Sequence, residues 1–449
     1  MTACHTLGTE DFIVNRLPGV VLALVLTAGG LLAVLSSPAT AASTATVHGK
    51  VTTGGVAVKG LKVELLLNPD DDPDSPLDNS TFVPIRSDNT NTDGTYTFSG
   101  LTVHDGTNYG LRISDPKGWH ATTYFHVGLR AGHSSRFDES VLAAGKVVGN
   151  VARADGASAT EIRAQIQDGP SISDDDSIVV PAEGGSVAAD GSFEFRGVVP
   201  TGVAPGDKYV IKFVDGSGKY LAQCYQGAVL TTLDLWCGAP SVTAVRVTVQ
   251  AGQTTTLEDE TLSHLAAHIN GTVVDTFGHP LKGMVATAIP VVGDSSSTAL
   301  VRSTGRFSVG GLPAGQYKLS VADPAKVWAG QWYDNTTKAS AHIFDLADGQ
   351  TASGLVVKLK SRSTLVAKAT PGVGSVKFAV SVTRKASGSR PSGTVTVSGG
   401  GASKTITLVD GQASVKLSGI PAGKQNFTVT YSGAGSTAPS DVTVYATVK

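Results

Sequence analysis

Beyond residue 41 the chain consists of short stretches in which apolar residues alternate with small or polar ones. A period of two places successive side chains on opposite faces of an extended backbone, so each stretch predicts a half-buried β-strand. Gly, Asp and Pro separate the stretches and supply the turns. No stretch in this part of the chain has the 3.6-residue period of an amphipathic helix. The pattern therefore predicts an all-β fold.

Three units of this pattern repeat one another. Each opens with an apolar-x-Gly-x-apolar motif, and the copies are Val47, Gly49, Val51; Val147, Gly149, Val151; and Ile269, Gly271, Val273. A glycine turn then precedes alternating residues, which are Asp93-Gly94 with Tyr96 and Phe98; Asp190-Gly191 with Phe193 and Phe195; and Gly305 with Phe307 and Val309. Because Asp-Gly tolerates the positive φ of a tight hairpin, we expect the residues after it to face one core.

Each unit ends in an aromatic block, which follows a strand carrying Tyr109, Tyr209 or Tyr317. The three blocks are Asp115-Pro116 with Trp119 and Tyr124; Asp215 with Tyr220 and Tyr225; and Asp323-Pro324 with Trp328, Trp332 and Tyr333. Cys224 occupies the position that Trp332 holds in the third unit. A disulfide at that position could replace the anchoring that an indole gives.

The repeats divide the chain into tandem β-sandwich domains. We predict module 1 at residues 42–143, module 2 at 144–264, module 3 at 265–361 and module 4 at 362–449. The first three have about 100 to 120 residues, which suits a β-sandwich. Module 4 has a different pattern of strict alternation and hairpin turns, with Val395, Val397, Asp410-Gly411 and Tyr431 among its positions.

The first 41 residues are predicted to be a secretory signal peptide. Arg16 precedes an apolar run at 20–35, and small residues lead to a cleavage site after Ala41. A retained membrane anchor is the competing interpretation, but the run is short of the ~20 residues needed to span a bilayer. We therefore expect a secreted, extracellular protein that meets a membrane only through this peptide, before cleavage.

Composition excludes some classes of protein. Hydrophobic residues make up 41% of the 449 residues, which is enough for packed cores and argues against global disorder. The formal charge of −2 gives no electrostatic case for a nucleic-acid partner. Cys4 lies in the predicted signal peptide, so Cys224 and Cys237 remain and are expected to form a disulfide in an oxidising compartment.

The motifs carry a resemblance to two families. The openings, the Asp-Gly hairpins, the sequence Gly-Leu-Pro-Ala-Gly-Gln-Tyr at 311–317 and the aromatic residues at 328–333 resemble carboxypeptidase regulatory-like domains. These are transthyretin-like or Cna-B-like sandwiches of secreted bacterial proteins, grouped with carbohydrate-binding-like folds. Module 4 resembles a bacterial Ig-like repeat through the stretches 391–395, 421–423 and 431–433. The resemblance implies a fold more than a function.

The aromatic blocks are the best candidate binding site. Exposed Trp and Tyr rings can stack on the apolar face of a sugar, and Trp328, Trp332 and Tyr333 could form such a platform, with Trp119 and Tyr124 as further candidates. The alternative is that these rings pack into a core or against the next module. Trp328 and Trp332 are an even number of residues apart, so an unbulged strand would place both on one face.

The sequence offers little evidence for a metal or cofactor. Carboxylates clustered in acidic loops, at Asp70, Asp71, Asp72, Asp74 and Asp78 and again at Asp174–176, are weak Ca²⁺ candidates because neither loop matches a calcium-binding pattern. Charged loop tips are usually only solvated. We expect no cofactor.

Three functions are compatible with the sequence. The first is a non-catalytic extracellular protein, acting as a stalk, adhesin or matrix component whose partner is a polysaccharide or cell-surface component. The second is a starch- or α-glucan-binding accessory protein. The third, a glycoside hydrolase of the α-amylase kind, needs two carboxylates around a glycosidic bond, usually on a barrel of ~250 residues for which four sandwiches leave no room. We expect no enzymatic activity.

Overall fold

Strands provide almost all of the regular structure, as the alternating pattern predicts. The computed structural model describes residues 44–67, 82–103, 109–168, 172–173, 177–179, 182–202, 208–233, 235–335 and 337–449. Its helical segments are two short 3₁₀ turns at Ala159–Glu161 and Tyr333–Asn335. The prediction of an all-β chain of tandem sandwiches is confirmed. The predicted signal peptide and both acidic loops, including Asp70, Asp72 and Asp74, lie outside the described residues.

The strands of the first two modules are short, and the longest in each is the strand that opens it. Those of module 1 are β1 (Ala45–Thr53), β2 (Val56–Ala57), β3 (Lys62–Leu67), β4 (Val83–Asn89), β5 (Thr95–Leu101), β6 (Tyr109–Ser114), β7 (Thr123–Val127), β8 (Ser134–Arg136) and β9 (Glu139–Ser140). Those of module 2 are β10 (Gly145–Arg153), β11 (Ile162–Asp168), β12 (Ile172–Ser173), β13 (Ser177–Val179), β14 (Glu183–Val187), β15 (Ser192–Val198), β16 (Tyr209–Asp215), β17 (Gln223–Cys224), β18 (Thr254–Thr256) and β19 (Glu260–Leu262).

The remaining strands lie in modules 3 and 4. Those of module 3 are β20 (Ala267–Asp275), β21 (Val285–Pro290), β22 (Ser297–Leu300), β23 (Arg306–Leu312), β24 (Gly315–Ala322), β25 (Gln331–Trp332), β26 (Phe344–Leu346) and β27 (Thr351–Leu359). Those of module 4 are β28 (Ser363–Gly372), β29 (Ser375–Arg384), β30 (Thr394–Gly399), β31 (Ala402–Thr407), β32 (Gln412–Ser418), β33 (Gly423–Tyr431) and β34 (Ser440–Val448).

The opening strand has the same neighbours in all three repeats. β1, β10 and β20 each pair antiparallel with the strand that follows the glycine turn, which is β5, β15 or β23. On the other side each pairs in parallel with the last strands of its own module, which are β8 and β9, β18 and β19, or β27. The first and last strands of a module therefore lie in one sheet. Because they run in parallel, the last strand ends beside the end of the first, and the chain enters and leaves each module at opposite ends of this strand pair.

Module 4 has a different topology. All its pairs are antiparallel, in one sheet ordered β28-β29-β32 and a second ordered β31-β30-β33-β34. The two sheets pack face to face, and the rings of Phe378 and Phe427 meet edge to face across the core at 5.0 Å between centroids.

Four large clusters of buried apolar side chains lie within the described residues. They extend from Ala45 to Val141, Val147 to Leu262, Ala267 to Leu359 and Val376 to Val448. The predicted boundaries after residues 143, 264 and 361 fall between these clusters. Contacts between modules are nevertheless frequent, and Thr44–Lys449 forms one compact unit.

The glycine of each opening motif is required by close approach of the closing strand. A Cβ on Gly49 would overlap the carbonyl oxygen of Phe137, to which Tyr96 Oη donates a hydrogen bond at 2.8 Å. A Cβ on Gly149 or Gly271 would lie 2.7 Å from the ring of a core phenylalanine. The motif therefore marks the place where the first strand, the last strand and an aromatic ring crowd together.

The glycine turns have the backbone that the sequence predicts. Gly94, Gly191 and Gly305 have φ of 81°, 92° and 77°, a conformation that strongly favours glycine. The carbonyl oxygen of each accepts a hydrogen bond from the opening strand, at 2.8, 2.9 and 2.7 Å. The turn thus fixes the register between the opening strand and its antiparallel neighbour.

The first prediction concerns this crowding. Gly49→Ala should destabilise the chain by about 3 kcal/mol, because the new methyl group can be accommodated only by separating β1 from the segment at Phe137. Gly128→Ala is the matched control, since its Cβ would meet nothing within 4 Å. Urea unfolding followed by circular dichroism measures both. Equal midpoints for the two variants would contradict the packing explanation.

Candidate functional site at the joints between modules

The aromatic blocks lie where one module meets the next, and an aspartate organises each of them. Asp115, Asp215 and Asp323 stand at the ends of β6, β16 and β24. The carboxylate of each accepts a hydrogen bond from the backbone N–H two residues further on, at 2.8, 3.0 and 2.9 Å. It also accepts one from an N–H four or five residues on, at 3.0, 3.1 and 2.7 Å. These bonds close the chain into the same turn three times.

The third residue after the aspartate has a left-handed backbone in every copy. Gly118 and Gly218 have φ of 72° and 73°, and Lys326 has φ of 55°. Their N–H groups donate to the aspartate carbonyl oxygen at 2.8, 2.9 and 3.1 Å. Glycine adopts this conformation without strain, whereas lysine does not, so the third turn is held by its surroundings.

Each turn then binds the segment that leads into the next module. The carbonyl oxygen four residues after the aspartate accepts a hydrogen bond from that segment, at 2.8, 2.9 and 2.8 Å. The N–H six residues after the aspartate donates a bond back to the segment, at 2.9 Å in all three copies. The segments concerned are residues 142–144, 264–266 and 360–362. The connections between modules are therefore short paired strands.

The first two turns also contact the body of the next module. The carbonyl oxygen of Gly118 accepts from Gly197 N–H at 3.0 Å, and that of Gly218 accepts from Gly311 N–H at 2.7 Å. A Cβ on Gly218 would lie 2.9 Å from the backbone of the next module. The first two joints therefore share one geometry, in which two backbones touch with no side chain between them.

The third joint uses a buried serine in place of this contact. Ser361 is fully buried, and its N–H donates to Ser436 at 2.9 Å while its carbonyl oxygen accepts from Ala438 at 2.8 Å. The Ser361 hydroxyl accepts from the N–H of Ala386 at 3.1 Å. A second contact between modules 3 and 4 is made by the guanidinium group of Arg384 in module 4, which lies 5.6 Å from the ring centroid of Phe277 in module 3.

Modules 1 and 2 are also joined by strand pairing. β13 of module 2 pairs antiparallel with β7 of module 1, so the larger sheet of module 1 is ordered β12-β13-β7-β6-β3-β4. One module thus supplies strands to the sheet of another. Pairing at this edge also covers backbone groups that would otherwise be unpaired.

Trp119 is covered at the first joint. The side chain is half-buried, and the ammonium group of Lys146 in module 2 lies 4.4 Å from its ring centroid. The same ammonium group lies 3.3 Å from Glu194. A cation held over the ring by a neighbouring carboxylate occupies the position that a sugar would take on that face.

Tyr124, Cys224 and Trp332 occupy equivalent positions. Each lies nine residues after the turn aspartate and pairs with the residue three before it. Tyr124 is 2% exposed and packs with Leu66 and Phe82. Cys224 forms a disulfide with Cys237, with Cα atoms 5.6 Å apart, and both cysteines are buried. The sequence predicted both this bond and the equivalence of Cys224 with Trp332.

The three aromatic residues of module 3 do not share one strand. Trp328 lies in the turn, forms an isolated bridge with Ser361 and packs with Tyr333 against the core of module 3. Trp332 belongs to the two-residue strand β25, is half-buried, and is not part of that packing. A single unbulged strand, the condition under which Trp328 and Trp332 would share one face, is not present, because the chain leaves extended pairing between them.

Within the described residues, no group of three or more His, Cys, Asp or Glu side chains is placed to hold a metal ion. The helical turns in the same part of the chain are too short to cross a membrane.

The second prediction concerns the carboxylate of the first turn. Burial alone would raise the pKa of Asp115, but hydrogen bonds from His120 and two backbone N–H groups outweigh it and lower the pKa below its ordinary value of 3.8. A lowered pKa stabilises the fold above pH 3.8, and this stabilisation is lost as the pH falls through the folded-state pKa. Asp115→Asn should therefore cost about 1–2 kcal/mol at pH 7 and progressively less below pH 3.8.

Thermal unfolding of the full chain between pH 7 and pH 2.5 measures this difference. Asp441→Asn is the control, because the Asp441 carboxylate is exposed and accepts no hydrogen bond from a described residue. Asp441→Asn should change the thermal unfolding midpoint only slightly at every pH. A deficit for Asp115→Asn that grows on acidification would contradict the assignment.

The chain has low sequence identity and low TM-scores with the solved structures that it matches. No protein-family model matches the chain, and no curated protein matches it. Among solved structures, a DUF3823 family protein from Bacteroides ovatus is 12% identical over 41% of this chain and 99% of its own, with a TM-score of 0.19. The major pilin subunit BcpA of Bacillus cereus is 13% identical over 70% of this chain and 99% of its own, with a TM-score of 0.16. A streptococcal ancillary pilin is 14% identical over 71% of this chain and 98% of its own, with a TM-score of 0.20. TM-scores this low carry no argument about function.

Proposed function

We propose that this chain is a non-catalytic, secreted modular protein that acts as an extracellular stalk or adhesin. In this proposal modules 1–3 are carboxypeptidase regulatory-like units and module 4 is a bacterial Ig-like unit. The observation that carries the proposal is the joint, since the same aspartate turn and the same pair of backbone hydrogen bonds recur at all three boundaries.

The joints favour a structural role because they restrict motion between modules. A flexible linker would leave its backbone groups to water, whereas here the connecting segments are paired on both sides of the bridge. Each bond contributes only about 0.5–1.5 kcal/mol, but several act together with packed side chains such as Ala121, Ala144 and Val199. A protein that holds a binding partner at a fixed distance from a surface needs such stiffness.

Charged groups of the interior support the same interpretation. Glu64 is buried between Lys62 and Arg112, at 2.6 and 2.7 Å, and the buried Asp215 is bound by Arg153 and by its own turn. These carboxylates hold strands and turns. The buried disulfide between Cys224 and Cys237 favours an oxidising, extracellular compartment.

A second candidate function is binding of a neutral polysaccharide such as an α-glucan. The observation that favours it is Trp332, whose half-buried indole occupies the position sealed by a disulfide in module 2 and by full burial in module 1. Asp334 follows it on an exposed turn with φ of 68°. A ring left open beside a polar turn is the arrangement that sugar stacking requires.

The third prediction tests the stiff joint. Gly218→Ala places a methyl group against the backbone of module 3, so it should break the bond between Gly218 and Gly311 and loosen the joint. Hydrogen exchange at the Gly311 amide should accelerate at least tenfold, and small-angle scattering should show a broader distribution of interatomic distances.

Gly252→Ala is the matched control for backbone strain. Its φ of 71° is close to the 73° of Gly218, but its Cβ would meet nothing within 4 Å. Both variants should lose about 1 kcal/mol of stability through strain, and only Gly218→Ala should change the joint. Unchanged exchange at Gly311 in the Gly218 variant would count against a stiff stalk.

The fourth prediction tests the second candidate. If Trp332 stacks on a glucan, Trp332→Ala should reduce retention on insoluble starch at least fivefold with little change in the unfolding midpoint. Trp328→Ala should lower the unfolding midpoint because its indole packs on the core of module 3. Equal retention of folded wild-type and Trp332→Ala protein would exclude the stacking role.

A further inference from the structure

The near-neutral charge of the chain conceals a strong segregation. Residues 362–449 contain ten Lys and Arg residues but only two acidic residues, Asp410 and Asp441, which gives module 4 a formal charge of +8. Because the whole chain carries −2, residues 1–361 carry −10. A module with this excess attracts anions although the protein as a whole does not.

Three of these lysines lie on one face of module 4. Lys368, Lys377 and Lys416 are exposed residues of β28, β29 and β32, on the side of that sheet opposite the core. The register pairs Lys377 directly with Lys416, and Lys368 lies two residues along β28 from Thr370, the partner of Lys377. Neighbouring strands are about 4.8 Å apart, so the three lysines form a short row across the three strands. We call this surface the lysine face.

The arrangement is unfavourable for the isolated fold. Like charges directly opposite each other on a sheet repel. No ion pair or hydrogen bond of the three lysine side chains is found among the described residues, and the ion pair present there in module 4 joins Arg390 to Asp410 elsewhere on the module. Repulsion without a compensating contact is explained if an anion binds on this face.

The rest of the lysine face combines small polar groups with the exposed Val366 of β28. Thr370, Ser381 and Ser414 point to the same side as the lysines, with Ala379 between them. A shallow depression of about 800 Å³ lies beside Lys368. None of the outward residues of β28, β29 and β32 is aromatic, and the exposed Tyr445 lies on β34 of the other sheet.

We propose that the lysine face of module 4 binds a linear anionic polysaccharide. The row of ammonium groups matches a chain with regularly spaced carboxylates or other anionic groups, and the hydroxyl side chains can bond to its sugar hydroxyls. Single-stranded nucleic acid fits less well, because such sites stack bases on aromatic rings and this face has none. This inference does not depend on the stalk proposal.

The test uses the full chain and polygalacturonate as the probe, with neutral dextran as the uncharged polymer. Binding measured by biolayer interferometry in 50 mM salt should be detectable for polygalacturonate and absent for dextran. The variant with Lys368→Gln, Lys377→Gln and Lys416→Gln should bind at least tenfold more weakly. The slope of log affinity against log salt should fall by about 2, as expected when three charges no longer displace counterions.

A charge-matched control separates the lysine face from net charge. Lys59→Gln, Lys282→Gln and Lys338→Gln together remove the same charge from exposed positions in modules 1 and 3. This control should bind polygalacturonate as the wild type does. An equal loss in both triple variants would overturn the proposal, because attraction would then depend on overall charge alone.

A single substitution separates binding from folding. Lys416→Glu replaces a repulsive cross-strand pair with an attractive one beside Lys377, so the unfolding midpoint should stay the same or rise while affinity falls. Undiminished affinity in this variant would overturn the proposal. Tighter binding of the wild type to oligo-dT, or to vesicles of phosphatidylglycerol and phosphatidylcholine, than to polygalacturonate would also overturn the assignment of a polysaccharide.

Discussion

The arrangement of this protein depends on an aspartate carboxylate that caps the end of a strand. Asp115, Asp215 and Asp323 each accept backbone N–H bonds from the residues that follow. Those bonds turn the chain so that its next peptide groups face the segment entering the following module. Without the turn, the connecting segment would have no partner and the modules would be joined by an unpaired linker.

The same backbone turn is built with different side chains in each copy. Glycine has the left-handed position in the first two turns and Lys326 has it in the third. The position nine residues after the aspartate holds Tyr124, Cys224 or Trp332. This variation is tolerated because the joint is made by backbone groups, so the side chains are left free to fill a core, form a disulfide or remain partly open.

Charge follows the division into modules. The acidic excess lies before residue 362 and the basic excess after it, so average composition describes neither part. The whole-chain charge of −2 gave no electrostatic case for a nucleic-acid partner, but it hid a module of +8. Counting charge after the modules are assigned would have found it, whereas only the strand register placed Lys377 opposite Lys416.

The sequence by itself determined the all-β class, the repeated modules, the glycine turns and the pairing of Cys224 with Cys237. These features depend on local periodicity, backbone φ preferences and the number of cysteines, all of which are written along the chain. Tertiary structure alone decided that the aromatic blocks lie at joints, that Tyr124 is buried and that Trp328 and Trp332 occupy different elements. Strand spacing tells which residues alternate, but whether a face meets solvent or another module depends on contacts between residues distant in the chain.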